Sequence, residues 1–239
     1  MLILSTSAGS GIVIRHDVAD ERYRSLAEGL PHCSLRLGGW GGGCTLIAPS
    51  WIVTAAHALG RLEVGAEVEI DGRRHEVSGR VVHPDWDPKT YRNDLALVRL
   101  TMPARRESVV DLGCRRDEAG RSVLFLGRGF SGNGLTGITV RDRVLRAAEN
   151  RVESTSNHTL RFVFDAPPDG LALEGISGPG DSGGPAYLRG AGGRLTLVGV
   201  SSAQDHSQQG AEGLYGVIEY YTRISSYCSW IRDVIASAD

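Results

Sequence analysis

The chain has 239 residues with 26 basic and 28 acidic side chains, which gives a formal net charge of −2. It has no block of like charge and no basic stripe with interleaved aromatic residues, so nucleic acid is not an expected partner. No apolar run reaches the roughly 18 residues needed to cross a bilayer, so we expect no membrane partner. The 41% hydrophobic content supplies a core, and the 32 glycines indicate the tight turns of an all-β chain.

The chain opens with a short apolar segment followed by small residues. This segment lacks a charged start, and we interpret residues 1–11 as a leader or propeptide remnant. Ile12 and Val13 follow directly, and residues 22–29 are predicted to form one short helix.

Strand signals begin with a β-prone apolar run at residues 44–54, which is followed by Ala55, Ala56 and His57. This pattern presents an imidazole where a buried strand meets its loop. Residues 62–70 alternate between apolar and polar and lead into the hairpin pair Asp71-Gly72, so they predict a half-buried strand and its turn. Further strands are predicted at 77–82, 95–100, 123–126, 160–164 and 195–200, an even spacing that favours barrels.

Asp94 stands at the mouth of one of these strands, where a carboxylate is poorly solvated and needs a partner. The charged stretch 101–120 predicts a linker between two halves. We therefore expect an N-terminal barrel at residues 12–110 and a C-terminal barrel at 121–224. A helix is predicted at 225–238, capped by Ser225-Ser226, with apolar residues at helical spacing.

The hexapeptide at residues 180–185, Gly-Asp-Ser-Gly-Gly-Pro, places Ser182 between backbone N–H groups that can stabilise a negatively charged oxygen. Six specified residues arise by chance in a chain of this length with a probability of roughly 10⁻⁵. A serine hydroxyl is a weak nucleophile, so it requires a base and a group that orients that base. His57 and Asp94 are the candidates for these two roles.

These motifs are Thr-Ala-Ala-His ending at His57, Asp-Leu-Ala-Leu beginning at Asp94, and the hexapeptide around Ser182. In this order they resemble the trypsin/chymotrypsin family of serine peptidases, and the spacings suit a compact member of bacterial type. The resemblance implies two six-stranded antiparallel Greek-key barrels, with the active site between them and a C-terminal α-helix. It also implies a secreted, monomeric endopeptidase, made as a zymogen, that cleaves proteins or peptides without a cofactor.

Family resemblance also implies roles for individual residues. Ser182 would be the nucleophile, His57 the general base and Asp94 the group that orients it. The N–H groups of Gly180 and Ser182 would form the oxyanion hole. Asp181 would form a buried ion pair with the α-amino group created by cleavage before Ile12.

Substrate selection is less clearly indicated. The family's pocket base lies six residues before the serine, and here it is Ile176 rather than the acid that selects Arg or Lys. By the same resemblance, Ser202 and Ala203 lie beside the substrate backbone and Glu219 lies on the pocket wall. There Glu219 could attract basic side chains or point to solvent.

The four cysteines do not match the family's usual bridges, since Ala58 follows the histidine where the family has cysteine. Cys33 and Cys44 could face each other across a hairpin, and buried free thiols are an equal alternative. We expect no metal site. The acidic residues Asp17, Asp20 and Glu21 could bind calcium, but their pattern is more typical of a solvated loop.

Two other functions remain open. A peptidase-like binding or regulatory protein would keep the fold without turnover, although such proteins commonly lose one member of the triad. An esterase of the α/β-hydrolase type is disfavoured, because there the serine precedes its partners and lies in Gly-x-Ser-x-Gly.

Overall fold

Eighteen strands and two α-helices are found in the computed structural model, which describes residues 11–37, 40–60 and 62–238. The predicted leader at 1–10 lies outside the described residues. The first elements are β1 (Val13–Ile14) and α1 (Asp20–Ala27). The helix predicted at 22–29 therefore begins and ends two residues earlier than expected.

The first half of the chain forms a closed six-stranded antiparallel barrel with the order β2-β3-β4-β7-β6-β5. Its strands are β2 (Cys33–Leu37), β3 (Trp40–Ala48), β4 (Trp51–Thr54), β5 (Glu67–Ile70), β6 (Arg73–Val82) and β7 (Ala96–Leu100).

The second half forms an eight-stranded sheet, contributes three strands to a four-stranded sheet that also contains β1, and ends with α2 (Cys228–Ala236). The larger sheet has the order β12-β9-β16-β17-β18-β14-β13, with β8 paired to β17, and the smaller has the order β11-β10-β1-β15. The strands are β8 (Asp111–Leu112), β9 (Ser122–Gly127), β10 (Ser131–Asn133), β11 (Gly137–Val140), β12 (Arg146–Arg151), β13 (Ser154–Thr155), β14 (Thr159–Val163), β15 (Gly175–Ile176), β16 (Pro185–Arg189), β17 (Leu195–Asp205) and β18 (Ile218–Arg223).

The predicted all-β fold with a C-terminal helix is confirmed. The second half differs from a closed ring of six strands, since its largest unit is an eight-stranded sheet, which a bridge between Glu149 and Glu174 links to the four-stranded sheet. In the first half, the run predicted as one strand at 44–54 is split between β3 and β4. The strand predicted at 62–70 begins only at Glu67, because Gly65 adopts a left-handed conformation (φ 85°) in a turn.

The predicted helix cap at Ser225-Ser226 is wrong, because α2 begins at Cys228 and no side chain caps it. The two hydroxyls bond elsewhere: Ser225 Oγ donates to Glu118 Oε1 at 2.7 Å, and Ser226 Oγ donates to the Asn157 carbonyl at 2.5 Å. These bonds tie the approach to the helix to the rest of the second half.

The barrel strands that carry the candidate site are buried on both faces. In β4, Ile52 points into the barrel core, whereas Trp51 and Val53 point into a second apolar cluster shared with the C-terminal half. This alternation follows from the two-residue period of a strand. The ends of β4 and β7 therefore lie at the junction of the two halves.

All four cysteines form disulfide bonds. Cys33 and Cys44 are direct cross-strand neighbours in β2 and β3, and Cys114 is bonded to Cys228 at the start of α2. The free-thiol alternative is therefore wrong.

Candidate active site

His57 and Asp94 are brought together by the pairing of β4 with β7. Thr54 lies opposite Ala96 in this antiparallel pair, so the end of β4 and the start of β7 share one edge. His57 follows Thr54 by three residues, in a 3₁₀ turn, and Asp94 precedes Ala96 by two. Local pairing thus suffices to place the imidazole beside the carboxylate.

Asp94 holds the His57 ring in one orientation. Nδ1 of His57 lies 2.6 Å from Oδ2 of Asp94, and the His57 backbone N–H donates to Oδ1 at 2.9 Å. The Asp94 side chain is fully buried, whereas 20% of the His57 side chain is exposed. A proton on Nδ1 shared with this carboxylate leaves the Nε2 lone pair available as a base.

The second half of the molecule also fixes Asp94. Ser202 Oγ donates to Oδ2 at 2.6 Å, and Thr222 Oγ1 donates to the Asp94 carbonyl at 2.8 Å. Ser202 lies at a bulge in β17, where the register with β18 shifts between Ser201 and Ala203. A bulge redirects a side chain out of the regular alternation, which explains how this hydroxyl reaches a residue of the other half.

Ser182 lies in the turn between β15 and β16. Gly183 N donates to the Ser201 carbonyl at 2.9 Å, and Gly43 N donates to the Ser182 carbonyl at 2.8 Å, so this turn is held between β17 and β3. Gly183 has φ 82°, and a Cβ there would overlap Thr54 Oγ1. The serine turn therefore packs directly against the strand that leads to His57.

Two backbone N–H groups in this turn are available to a ligand. Among the residues described, those of Gly180 and Ser182 donate to no acceptor, although both residues are half-buried. Two such donors beside a serine hydroxyl form the arrangement that binds an oxyanion. The Ser182 hydroxyl itself makes no hydrogen bond with His57, and catalytic hydrogen bonds are often long before substrate binds.

A buried carboxylate lies on β18, opposite Gln204 of β17. Glu219, on β18, is fully buried; it accepts a hydrogen bond from the Ser177 hydroxyl and another from the Ser177 backbone N–H at 3.1 Å. Gln204 Nε2 donates to the Ser177 carbonyl at 2.6 Å. Burial raises the pKa of Glu219 to about 7, and its hydrogen bonds oppose that shift.

The other predicted pocket residues are placed differently. Ile176 is fully buried in an apolar cluster with Val13, Phe164 and Val217, so its side chain packs in the core. Ala203, on β17, is partly exposed.

Asp181 lies beneath the serine turn with no basic partner among the described residues. Its carboxylate accepts the backbone N–H of Gly178 at 3.0 Å and that of Gly129 at 3.2 Å. Burial raises the pKa of Asp181 well above its usual range. A carboxylate in this setting is stabilised by a cation that reaches it.

The chain immediately before β1 lies next to this carboxylate. A Cβ on Gly11 would come within 2.8 Å of the Gly129 carbonyl, and one on Gly178 would overlap the Gly11 carbonyl. Ile12 is fully buried, and its carbonyl accepts a hydrogen bond from Ser131 Oγ at 2.6 Å. The two glycines that bond Asp181 thus also contact the Gly11–Ile12 segment.

Sequence reasoning missed three residues around the site. Ser177 and Gln204 complete the hydrogen bonds around Glu219, and Tyr91 packs its ring 5.3 Å from the His57 ring. Ser177 directly follows the position that the family resemblance marked, so extending that comparison by one residue would have found it. No sequence pattern indicated Tyr91. Its backbone is left-handed (φ 57°), and the sequence has no glycine at this position that would have suggested such a conformation.

No candidate metal site is found among the residues that the structure describes. In the acidic cluster considered for calcium, Asp17 pairs with Arg15 at 2.7 Å and Asp20 with Arg146 at 2.5 Å. Within the described part of the chain, no helix is long and apolar enough to cross a membrane.

Comparison with known proteins adds to this geometry. Residues 32–231 match the family model described as Trypsin. Cationic trypsin-3 of Rattus norvegicus is 28% identical, over 99% of this chain and 98% of its own length. Chymotrypsin-like elastase family member 1 of Canis lupus familiaris is 30% identical, over 82% of this chain and 81% of that protein.

A third relative is much longer. Vitamin K-dependent protein C of Rattus norvegicus is 28% identical over 82% of this chain, but the match covers 46% of that protein. The chain thus spans less than half the length of that relative.

Proposed function

This chain belongs to the trypsin family and is a serine endopeptidase, and from that premise we propose that Ser182, His57 and Asp94 form its catalytic triad. The observation that most supports this triad is the hydrogen bond between the buried Asp94 carboxylate and His57 Nδ1, at 2.6 Å. Because Asp94 occupies Nδ1, Nε2 is the ring nitrogen left to act as the base toward Ser182 in this proposal.

In this mechanism the Ser182 hydroxyl attacks the carbonyl carbon of the scissile peptide while His57 Nε2 takes its proton. The carbonyl oxygen becomes an oxyanion and accepts hydrogen bonds from the N–H groups of Gly180 and Ser182. His57 then protonates the leaving amine, which departs and leaves an ester on Ser182. Water hydrolyses the ester by the same proton transfers in reverse.

Replacing the nucleophile tests this assignment. In Ser182→Ala, kcat for a peptide amide should fall by about 10⁶, by analogy with measured deletions of triad serines. Ser207→Ala, at an exposed serine, is the matched control and should retain kcat. A Ser182→Ala enzyme within tenfold of the unmodified protein would contradict the proposal and favour another nucleophile.

We propose that the pocket containing Glu219 and Ser177 accepts a basic side chain before the scissile bond, with Ser202 and Ala203 beside the substrate backbone. Support comes from burial, because the Glu219 carboxylate has hydrogen-bond donors around it but no cationic partner among the described residues. Arg or Lys would supply that cation. In this proposal Ile176 supports the base of the pocket from the apolar core.

We also propose that the active form begins at Ile12 and that its new α-ammonium pairs with Asp181. The supporting contacts are those of Gly11 and Ile12 with the two glycines that bond the Asp181 carboxylate. Mass spectrometry of the purified active enzyme tests this. An N-terminus at Ile12 is expected, and a fully active enzyme that retains Met1 would overturn the idea.

We further propose a secreted monomer with an N-terminal domain at 12–110 and a C-terminal domain at 121–224. Proteins of the trypsin family are mostly secreted. The two disulfides fit such a compartment, because these bonds persist where the environment is oxidising. Size-exclusion chromatography with light scattering should give the mass of one chain.

A further inference from the structure

A recess of about 490 Å³ opens beside the serine turn. Its walls are the hairpin of β2 and β3, the chain that leaves β9, and the turn residues Gly180 and Asp181. The disulfide between Cys33 and Cys44 lies in the hairpin wall. The lining of this recess includes none of the residues that we propose select the side chain before the scissile bond.

The position of the recess relative to the scissile bond decides which part of the substrate it can bind. The serine turn is bonded to β17 on one side, through Gly183, and to β3 on the other, through Gly43. A substrate whose side chain enters the Glu219 pocket lies along β17 and must leave the site over β3. The recess therefore faces the residues that follow the scissile bond.

Two acidic side chains of the recess are already paired with arginines. Glu69 pairs with Arg36 at 3.1 Å, and Glu67 pairs with Arg74 at 3.4 Å. Asp181 is buried beneath the turn and bonded to backbone N–H groups. Glu67 and Glu69 thus already have arginine partners, and the Asp181 carboxylate is buried.

Arg128 supplies such a further positive charge. It is exposed, and its guanidinium forms no hydrogen bond or ion pair with the part of the chain that the structure describes. Burial, and after it the charge of Arg128, lower the pKa of His32 to about 4. His32 and Arg128 line the same recess, and Arg143 adds a third guanidinium to those of Arg36 and Arg128.

Taking Ser182 as the nucleophile proposed above, we propose that Arg128 makes the enzyme prefer an acidic side chain in one of the two residues after the scissile bond. An arginine presents a planar pair of donors that fits a carboxylate, and an unpaired arginine at the rim of a cavity can contact one without first breaking another ion pair. Arg128 acts here as a specificity-determining residue for the leaving half of the substrate.

Matched peptides test this preference. The residues before the cut stay constant, and the first two after it are Glu, Gln or Lys in turn. We expect kcat/KM to be about 3- to 10-fold higher for Glu than for Gln at low ionic strength, and lower for Lys. The preference should weaken with added salt.

Two variants of Arg128 sharpen the result. Arg128→Ala should abolish the preference for Glu, and Arg128→Glu should reverse it toward Lys. Arg194→Ala is the control, because Arg194 is an exposed arginine that pairs with Asp111 away from the recess. It should leave the preference unchanged.

A small ester with the same acyl half and an alcohol leaving group separates this inference from the proposed function, since it does not reach the recess. Both Arg128 variants should hydrolyse it at the unmodified rate. Equal cleavage of Glu and Gln peptides, or a preference that survives in both variants, would overturn the role of Arg128. Failure of the unmodified enzyme on the ester as well would overturn the triad assignment on which the inference rests.

Discussion

In the proposed pocket, Glu219 would couple substrate choice to pH. Burial raises its pKa to about 7, so the carboxyl is largely protonated below that pH and largely ionised above it. Tyr221 and Asp181 are the ionisable groups whose charges act on the same region, and burial also raises both of their pKa values. Only the ionised carboxylate attracts a basic substrate side chain.

We therefore predict a pH-dependent selectivity. The ratio of kcat/KM for an Arg peptide to that for a Leu peptide should rise about tenfold between about pH 6 and pH 8, following the ionised fraction of Glu219. Titration of any group that both substrates share cancels in this ratio. In Glu219→Gln the ratio should be low and flat, and a flat ratio in the unmodified enzyme would refute the role of Glu219.

At this scale the candidate triad could be read from the sequence, and the candidate pocket only in part. His57, Asp94 and Ser182 each lie in a contiguous motif, so local sequence identifies them. The bond between Ser177 and Glu219 joins residues 42 positions apart, through strands whose pairing no local pattern encodes. Sequence therefore marked Glu219 as a candidate pocket residue without showing what surrounds its carboxylate.

Among the elements, β3 supports the serine turn by close backbone contact. Gly43 donates to the Ser182 carbonyl, and a Cβ there would come within 2.6 Å of Gly184 N. Any side chain at this position must push the turn away from the barrel. Two residues earlier in the same strand, a Cβ on Gly41 would meet only the Leu35 carbonyl, at 3.9 Å.

This contrast within β3 gives a second prediction. Gly43→Ala should lower the free energy of unfolding by about 1–3 kcal/mol, the usual cost of overpacking, and should reduce kcat by displacing the oxyanion donors. Gly41→Ala should change stability by much less. Urea denaturation and peptide hydrolysis measure the two effects, and equal behaviour of the two variants would contradict the proposed support of the turn.

A strand forms where the apolar pattern predicts one only if the backbone of the same residues stays extended. The alternation at 62–70 is compatible with a strand, but Gly65 allows a turn, and its N–H bonds to the Val77 carbonyl instead. The helix cap at Ser225-Ser226 failed for a related reason. Its hydroxyls found partners at Glu118 and Asn157, and such long-range bonds cannot be seen in a local cap motif.

The whole molecule is held together by burial between its halves and by two disulfides of very different span. Cys33–Cys44 joins residues 11 positions apart, and Cys114–Cys228 joins residues 114 apart, tying the segment between the halves to α2. A disulfide stabilises largely by restricting the unfolded chain, and this effect grows with the logarithm of the loop length. The longer bridge should therefore contribute about 2 kcal/mol more.

A pair of double variants measures each bridge separately. Cys33→Ala/Cys44→Ala keeps only the long bridge, and Cys114→Ala/Cys228→Ala keeps only the short one. The loss of unfolding free energy on adding reductant should be larger in the first variant, as measured by urea denaturation. An equal or reversed order would show that loop entropy does not govern their contributions.

The central claim is that side chains from the two halves convert Ser182 into a nucleophile. A fluorophosphonate tests it most directly, because an activated serine oxygen displaces fluoride from phosphorus and keeps a stable phosphonyl adduct. Peptide mapping should find one adduct, on Ser182, which is absent from Ser182→Ala and retained in Ser207→Ala. A folded protein that stays unlabelled, or that carries its label on another residue, would contradict this account of the site.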